Sequence, residues 1–439
     1  MDGLFDNLPS GEAKAARPLG GARLRTPVRD QIELRACDLD SLIGDDDRAR
    51  LIWAYASRVD LRALEAEVKA REGAPGMPQT SLHLLLALWL LATARGVGSA
   101  RGLARLCESD ASFRWLCGGV GVNHRLLSDF RFNQGALIER LLAEHVASLS
   151  IAGLIDLGEI AQDGVRVRAG AGAASFRRRK TLEGELAKAK DLVARLAKEG
   201  DDDPGASDKR GKANRERAAR EREARVEAAL AALGEARKLR EKRSKTNKAE
   251  TERQKEPRAS TTDAQARVMK MPDGGFRPAY NIQFASVPEN GVIVAVGCGT
   301  VGSDRGLAEP MARAIEQTHG ARPKVHLVDG GYMSGADIEA ASAAGTAIYC
   351  PPGKAKSGRD PLGPRTADSP ALAAWRARMA SDEGKERYKR RSRCELVHAK
   401  LRNLGLDRVS ARGKEKVLTW MRWFALASNI AAEARLRAA

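Results

Sequence analysis

The hydrophobic period of this chain changes twice between residues 159 and 285, and that alternation limits the fold more than any other feature. In EIAQDGVRVR (159–168), Val165 and Val167 alternate with Arg166 and Arg168. That is the two-residue period of a strand with one face buried. From 177 to 258 the chain is charged throughout, and Leu182, Leu186, Ala189, Val193 and Leu196 recur at spacings of four and three. This is the a/d seam of packed helices. DDDPGASD (201–208) is a turn by composition, and Val226, Leu230 and Leu233 mark a second helix after it. The strand period returns where Tyr280, Ile282 and Phe284 alternate with Asn281 and Gln283. A sheet that starts, stops for a helical pair and restarts implies an α/β domain interrupted by an antiparallel helical hairpin.

The rest of the chain fits around that frame. Residues 1–26 are rich in Gly, Pro and Arg and are expected to be a flexible tail. Residues 27–150 read as helices only. Asp60 is the expected cap of one helix and Thr80 of the long apolar one that ends near Gly96. Others are expected to start at Ser99 and Ser109, and one to run from Asn123 to about Ser150. After the second strand period, PENG (288–291) leads into VIVAVGCG, which predicts a hairpin. A helix is expected over 305–318, a buried strand over 324–332 ending in Asp329 and two glycines, a short helix over 336–343 and a strand over 346–350. Residues 351–384 are expected to be irregular, with helices at 385–403 and 412–436. The sheet is therefore mixed, in a chain divided as 1–26, 27–150, 151–178, 179–262, 263–404 and 405–439.

The formal net charge is +18. Such a chain attracts polyanions, and nucleic acid is the commonest, because each neutralised phosphate releases a counterion. Arg125 and Arg131, in NHRLLSDFRFN (123–133), are the candidate phosphate contacts of the helical region. The six cysteines form no CxxC pair and none has His at zinc-ligand spacing, so reduced, buried thiols are expected. LHLLLALWLLATA (82–94) is too short to span a bilayer, and the N-terminus lacks the pattern of a signal peptide. A cytoplasmic protein with no membrane partner is expected.

Three acids stand out by position. Asp163 precedes Gly164 in the first strand, Asp329 precedes Gly330 and Gly331 after an apolar strand, and Glu395 is the one acid within the basic stretch YKRRSRCELVHAKLR (388–402). On one continuous helix Tyr388, Arg391, Glu395 and Arg402 share a face. Carboxylates suit Mg²⁺ or Mn²⁺, hard cations that keep sites open for phosphate oxygens. A pair of such ions serves phosphodiester chemistry, and the arginines would position the strand. Asp263, Asp273 and Asp304 are the rival ligands, with Asp304 better suited to a helix cap. His326, inside an apolar strand, reads as a satisfied core residue. His398, one turn from Glu395, is a candidate neighbour of the site. Trp115, Trp420 and Trp423 read as core.

Those residues resemble a known family. YKRRSRCELVHAKLR resembles the Tyr-x2-Arg-x3-Glu-x6-Lys/Arg signature of insertion-sequence DDE transposases, through Tyr388, Arg391, Glu395 and Arg402, with Arg where Lys is usual. QDGVRVRA (162–169), LVDGGYMSG (327–335) and residues 260–285 are similar to the family's aspartate strands and the segment between them. The resemblance implies an RNase H-like catalytic core behind an all-helical N-terminal domain, with Asp163, Asp329 and Glu395 as metal-binding catalytic triad. It implies cleavage of DNA at the element ends and transfer of the freed 3′-hydroxyl to target DNA, by a homodimer or larger assembly. A degenerate, non-catalytic DNA-binding protein and a nuclease of the same fold are the alternatives.

Overall fold

The computed structural model describes residues 38–71, 73, 77–202, 209–242, 256–353 and 360–438. The tail 1–26, Cys37 and most of the turn at 201–208 lie outside them. Seven helices come first: α1 (Arg48–Ala56), α2 (Arg62–Ala66), α3 (Leu82–Ala94), α4 (Ala100–Ser109), α5 (Ala111–Cys117), α6 (His124–Asn133) and α7 (Gly135–Ile151). Their starts correct the expected caps. Ser81, not Thr80, caps α3, because its hydroxyl accepts from the Leu84 N–H at 3.4 Å. Asp110, not Ser109, caps α5, accepting from the Ser112 and Phe113 N–H groups. Asp60 does accept from the Arg62 N–H, but α2 is only five residues long and stops before Val68. The helix expected from Asn123 to Ser150 is two helices, divided at Gln134. Helix α3 is buried nearly all round, so it forms the middle of the helical region rather than its surface.

The sheet follows. Strand β1 (Glu159–Arg168) leads to the two-residue β2 (Phe176–Arg177), then α8 (Arg179–Asp202), α9 (Lys209–Lys242) and β3 (Ala259–Ser260). β2 pairs with β3, so the chain leaves for the helical pair and returns at the same point. Leu182 is buried against Val226, Ala229 and Leu233 of the second helix, while Leu186 and Leu230 are partly covered. Strands β4 (Arg267–Lys270), β5 (Phe276–Ser286) and β6 (Ile293–Gly299) come next, then α10 (Ala308–His319), β7 (Val325–Leu327), α11 (Gly335–Ala343) and β8 (Ala347–Tyr349). The order across the main sheet is β4-β5-β1-β7-β8, with β6 also paired to β5. β1–β7 and β7–β8 are parallel and the remaining pairs are antiparallel, so the sheet is mixed. The hairpin after β5 turns at Gly291, whose φ of 75° suits glycine.

Two further corrections fall near the C-terminus. The segment expected to be irregular contains α12 (Pro370–Ala380) and the start of α13 (Asp382–Lys389). Its start signal was present: Ser369 caps α12 through the Leu372 N–H, and Pro370 takes the first turn. The helix expected over 385–403 is broken by a 3₁₀ turn at Arg390–Ser392 before α14 (Arg393–Asn403). Glu395 therefore lies in the first turn of a helix, not at its middle.

The last helix, α15 (Lys414–Ala438), ties the halves together. Asn429 is fully buried on it and donates to the Ile293 carbonyl at 2.8 Å while accepting the Ile293 N–H at 2.8 Å. One hydrophobic core runs from Leu85 and Trp89 of α3 through Trp423 and Phe424 to Ile282 and Val294 of the sheet.

Candidate active site

Register brings the two aspartates together. Ala161 of β1 faces Leu327 of β7 on adjacent parallel strands, so Asp163 and Asp329 each lie two residues beyond a paired position. Asp163 sits in the middle of β1, still paired to Phe284 of β5, rather than at a strand end. Its Oδ1 accepts the Gly164 N–H at 2.9 Å. A Cβ at position 164 would stand 2.5 Å from Gln283 Nε2 and 2.7 Å from Asp304 Oδ1, which is why the residue after this aspartate must be glycine. Asp329 lies past the short β7 and begins a 3₁₀ turn, its Oδ1 accepting the Gly331 N–H at 2.6 Å.

Arg391 connects the three acids. Its Nη2 is 3.3 Å from Asp163 Oδ1 and 3.8 Å from Asp329 Oδ2, and its Nη1 is 3.6 Å from Glu395 Oε1. The 3₁₀ turn that breaks the expected helix sets this guanidinium over the sheet. Its side chain is only 15% exposed, whereas that of Glu395 is 67% exposed. Tyr388 is half-buried and packs against the smaller core that contains Tyr332 and Trp375. Arg402 is exposed and reaches none of the three acids, and the break in the helix removes the single face expected for these four residues.

A polar layer supports Asp163 from below. Gln162 Nε2 donates to Gln283 Oε1 at 2.8 Å, and Tyr332 donates its hydroxyl to the same oxygen. Gln283 and Asn281 both donate to Asp304 Oδ1, at 2.8 and 2.7 Å. The Asp304 side chain is thus used by the sheet and does not cap α10. Gln162, Gln283 and Tyr332 were not anticipated, and only the polar positions alternating inside buried strands hinted at them. Asp263 is buried, accepting from the Tyr280 hydroxyl at 2.7 Å, and Asp273 pairs with Arg277 at the surface; neither reaches the site. His326 is in the core, but neither ring nitrogen has a hydrogen-bond partner among the described residues, and burial holds its pKa down to about 3. Trp420 and Trp423 are core, whereas Trp115 is half-buried, with Arg50 over its ring and its N–H given to Asp40.

His398 lies against the site, its Nδ1 3.5 Å from Asp163 Oδ2. Burial, with help from Arg402 and Arg391, holds its pKa down to about 4. The imidazole is therefore neutral at pH 7, and this is a contact between a neutral ring and a carboxylate, not an ion pair.

Burial raises the Asp163 carboxyl above its ordinary range, against the lowering pull of Arg391 and the Gly164 N–H, while Asp329 and Asp304 add to the rise. An acid with a raised folded pKa binds its proton more tightly in the native state than in the unfolded chain. Its effect on stability is most favourable below the unfolded value and worsens as pH rises through the folded one. Asp163→Asn imitates the protonated form. Without divalent metal, it is expected to melt higher than the parent at neutral pH, with the gain vanishing as pH falls to the ordinary aspartate range. Thermal melts across pH check this, and a lower melting point at neutral pH contradicts it.

Among the described residues, no three His, Cys, Asp or Glu side chains are gathered closely enough to hold a metal ion. The donor set nevertheless fits one in kind. Three carboxylates from separate elements converge on one point of positive charge, supplied here by Arg391, and Asp163 is half-buried where an uncompensated anion is costly.

Two family models match the chain. Residues 250–430 match the Transposase DDE domain, and residues 38–133 match the Transposase domain (DUF772). Asp329 and Glu395 fall inside the first range, while Asp163 falls outside both, so geometry alone joins it to the others. No curated protein and no solved structure matches the chain.

Proposed function

With a transposase domain in each half, the chain is a DNA transposase of the DDE group, and we propose that it cuts DNA at the ends of an insertion sequence and transfers the freed 3′-hydroxyl into target DNA. The observation that carries this reading is the convergence of Asp163, Asp329 and Glu395 on Arg391. The order β4-β5-β1-β7-β8, with Asp163 on β1, Asp329 just past the adjacent parallel β7 and Glu395 on a following helix, supports an RNase H-like core.

Asp163, Asp329 and Glu395 would hold Mg²⁺ or Mn²⁺ as a pair of ions, which would supply Lewis-acid stabilisation of the charge that develops on the phosphodiester. The protein side of the chemistry is positional. β1 and the 3₁₀ turn after β7 fix the two aspartates through backbone N–H groups at Gly164 and Gly331. The layer of Gln162, Gln283 and Tyr332 keeps β1 from shifting beneath Asp163. Glu395, the most exposed of the three, is free to adjust when DNA arrives. Arg391 compensates the carboxylates and turns positive charge toward the scissile phosphate. Tyr388 braces the turn that carries Arg391, and Arg402 faces the backbone of the same strand. Arg125, which is exposed, belongs to the helical region's contact with DNA, and Arg131 lies enclosed behind it. The active form is a homodimer or larger assembly on paired ends.

The test uses the purified chain, DNA bearing the gene's own flanking ends, and Mg²⁺ or Mn²⁺. Joined products are the expected result. Nicks at the ends without joining would reduce the protein to a nuclease, and binding without either would make it a non-catalytic relative.

A further inference from the structure

A cavity of about 950 Å³ opens where the helical region meets the end of the chain, away from the three carboxylates. Its walls come from the end of α3, the starts of α4 and α6, the segment 404–412 and Trp420 of α15. It is strongly cationic. Arg101, Arg125, Arg131, Arg408 and Arg412 line it against a single acid, Asp129. The first two and the last two are exposed, and no ion pair or side-chain hydrogen bond involves any of them among the described residues.

Arg131 is the unusual member. It is 2% exposed, yet no carboxylate lies beside it. Its guanidinium sits 3.5 Å from the centre of the Trp420 ring and 4.3 Å from that of Trp89. Nη1 donates to the Gly98 carbonyl at 2.8 Å, while Nε is buried with no partner. Burial alone pulls its pKa down to about 9, so the cation is held at a cost that no carboxylate among the described residues offsets. Stacking on two indoles supports it only in part. This also corrects the sequence reading, in which Arg131 was an outward phosphate contact. Two ten-residue helices, α4 and α6, direct their N-terminal ends at the same space, adding partial positive charge.

We infer that this cleft is a second DNA-binding site, which takes the phosphodiester backbone of one strand of the DNA whose end lies at the carboxylates. The inference rests on the transposase reading. Phosphate supplies the missing counter-charge, and the planar guanidinium groups match its oxygens. The placement relative to the carboxylates is also suitable. Glu395 lies in the first turn of α14, and Leu404, just past its other end, lines the cleft. At 1.5 Å per residue the two are about 14 Å apart along the helix. With one phosphate per strand for about every 3.4 Å of duplex axis, and the duplex axis along α14, the cleft would hold a phosphate roughly four nucleotides from the cleaved one.

The test compares wild type with Arg125→Ala/Arg412→Ala, whose side chains are exposed and unpaired, so the fold does not depend on them. A control, Lys324→Ala/Arg365→Ala, removes the same charge outside the cleft. The probe is a labelled duplex of random sequence, bound over a range of salt. The cleft variant is expected to bind about tenfold more weakly per arginine removed, and its plot of log affinity against log salt should flatten by about one unit per arginine. The control should keep the wild-type slope. If wild type binds and the cleft variant keeps its affinity and slope, the inference is overturned while the transposase reading stands. If wild type fails to bind DNA at all, the transposase reading itself fails. A third outcome also overturns the inference: inorganic phosphate raises the melting point only when Arg125 and Arg412 are present, and DNA binding ignores them. The cleft would then be a site for a small anion.

Discussion

Asp163→Asn, Asp329→Asn and Glu395→Gln are each expected to lower end cleavage by about a thousandfold or more, with DNA affinity nearly unchanged. The magnitude follows from the charge stabilisation at stake. A divalent cation contributes several kcal/mol at a phosphoryl oxygen, and each 1.36 kcal/mol is a factor of ten. Each substitution keeps the shape of the side chain and removes one anionic donor. Arg391 retains two of its three carboxylate neighbours in every case, so the local structure has reason to survive. The measurement is a time course of end nicking with saturating protein, alongside a binding isotherm and a melting curve for each variant. A variant that is folded, binds DNA and nicks at the parental rate removes that residue from the active site. Asp163 is under the strictest examination, because no matched family range reaches it.

Trp423→Ala should be the most damaging single change to stability, at about 3–5 kcal/mol. Trp423 is fully buried in the core shared by the helical region and the sheet, and its ring lies 6.4 Å from that of Phe130. Its indole N–H donates to the Arg131 carbonyl at 3.2 Å. Truncation opens a cavity between α6 and α15 and leaves that carbonyl without its donor. Trp423→Phe should recover most of the packing and lose the hydrogen bond, a cost of about 1–3 kcal/mol for a buried orphan. Urea unfolding of the three proteins measures the series. An alanine variant within about 1 kcal/mol of the parent would mean that α15 does not bind the two halves as described. The cleft should respond too, since Trp423 holds the backbone of the residue whose side chain stacks on Trp420.

Much of this site was legible beforehand because its signals are local. A glycine directly after Asp163 reflects a spacing so tight that a single carbon would collide with Gln283 and Asp304. The pair after Asp329 turns the chain so that a backbone N–H meets the carboxylate. The basic stretch around Glu395 set Tyr388, Arg391 and Glu395 at spacings of three and four. What failed there was the assumption of one helix: a spacing signature does not reveal that Arg390–Ser392 tighten into a 3₁₀ turn. The helix at Pro370–Ala380 was missed for the opposite reason, since Pro, Gly and Ser around it suggested a loop while Ser369 and Pro370 were in fact its start.

By itself the sequence determined the kinds of element and the point where a charged helical pair interrupts a sheet, and it singled out three acids by their neighbours. These depend on side-chain period and on neighbours within a few residues, which the order of residues states directly. Only the tertiary structure decided which acids meet. Parallel pairing of β1 with β7 set Asp163 beside Asp329, and a turn in the backbone carried Arg391 over both. It also decided that Arg131 would be enclosed between Trp89 and Trp420, residues far from each other along the chain. Strand register and the burial of charge arise from contacts between distant segments, and no local period encodes them.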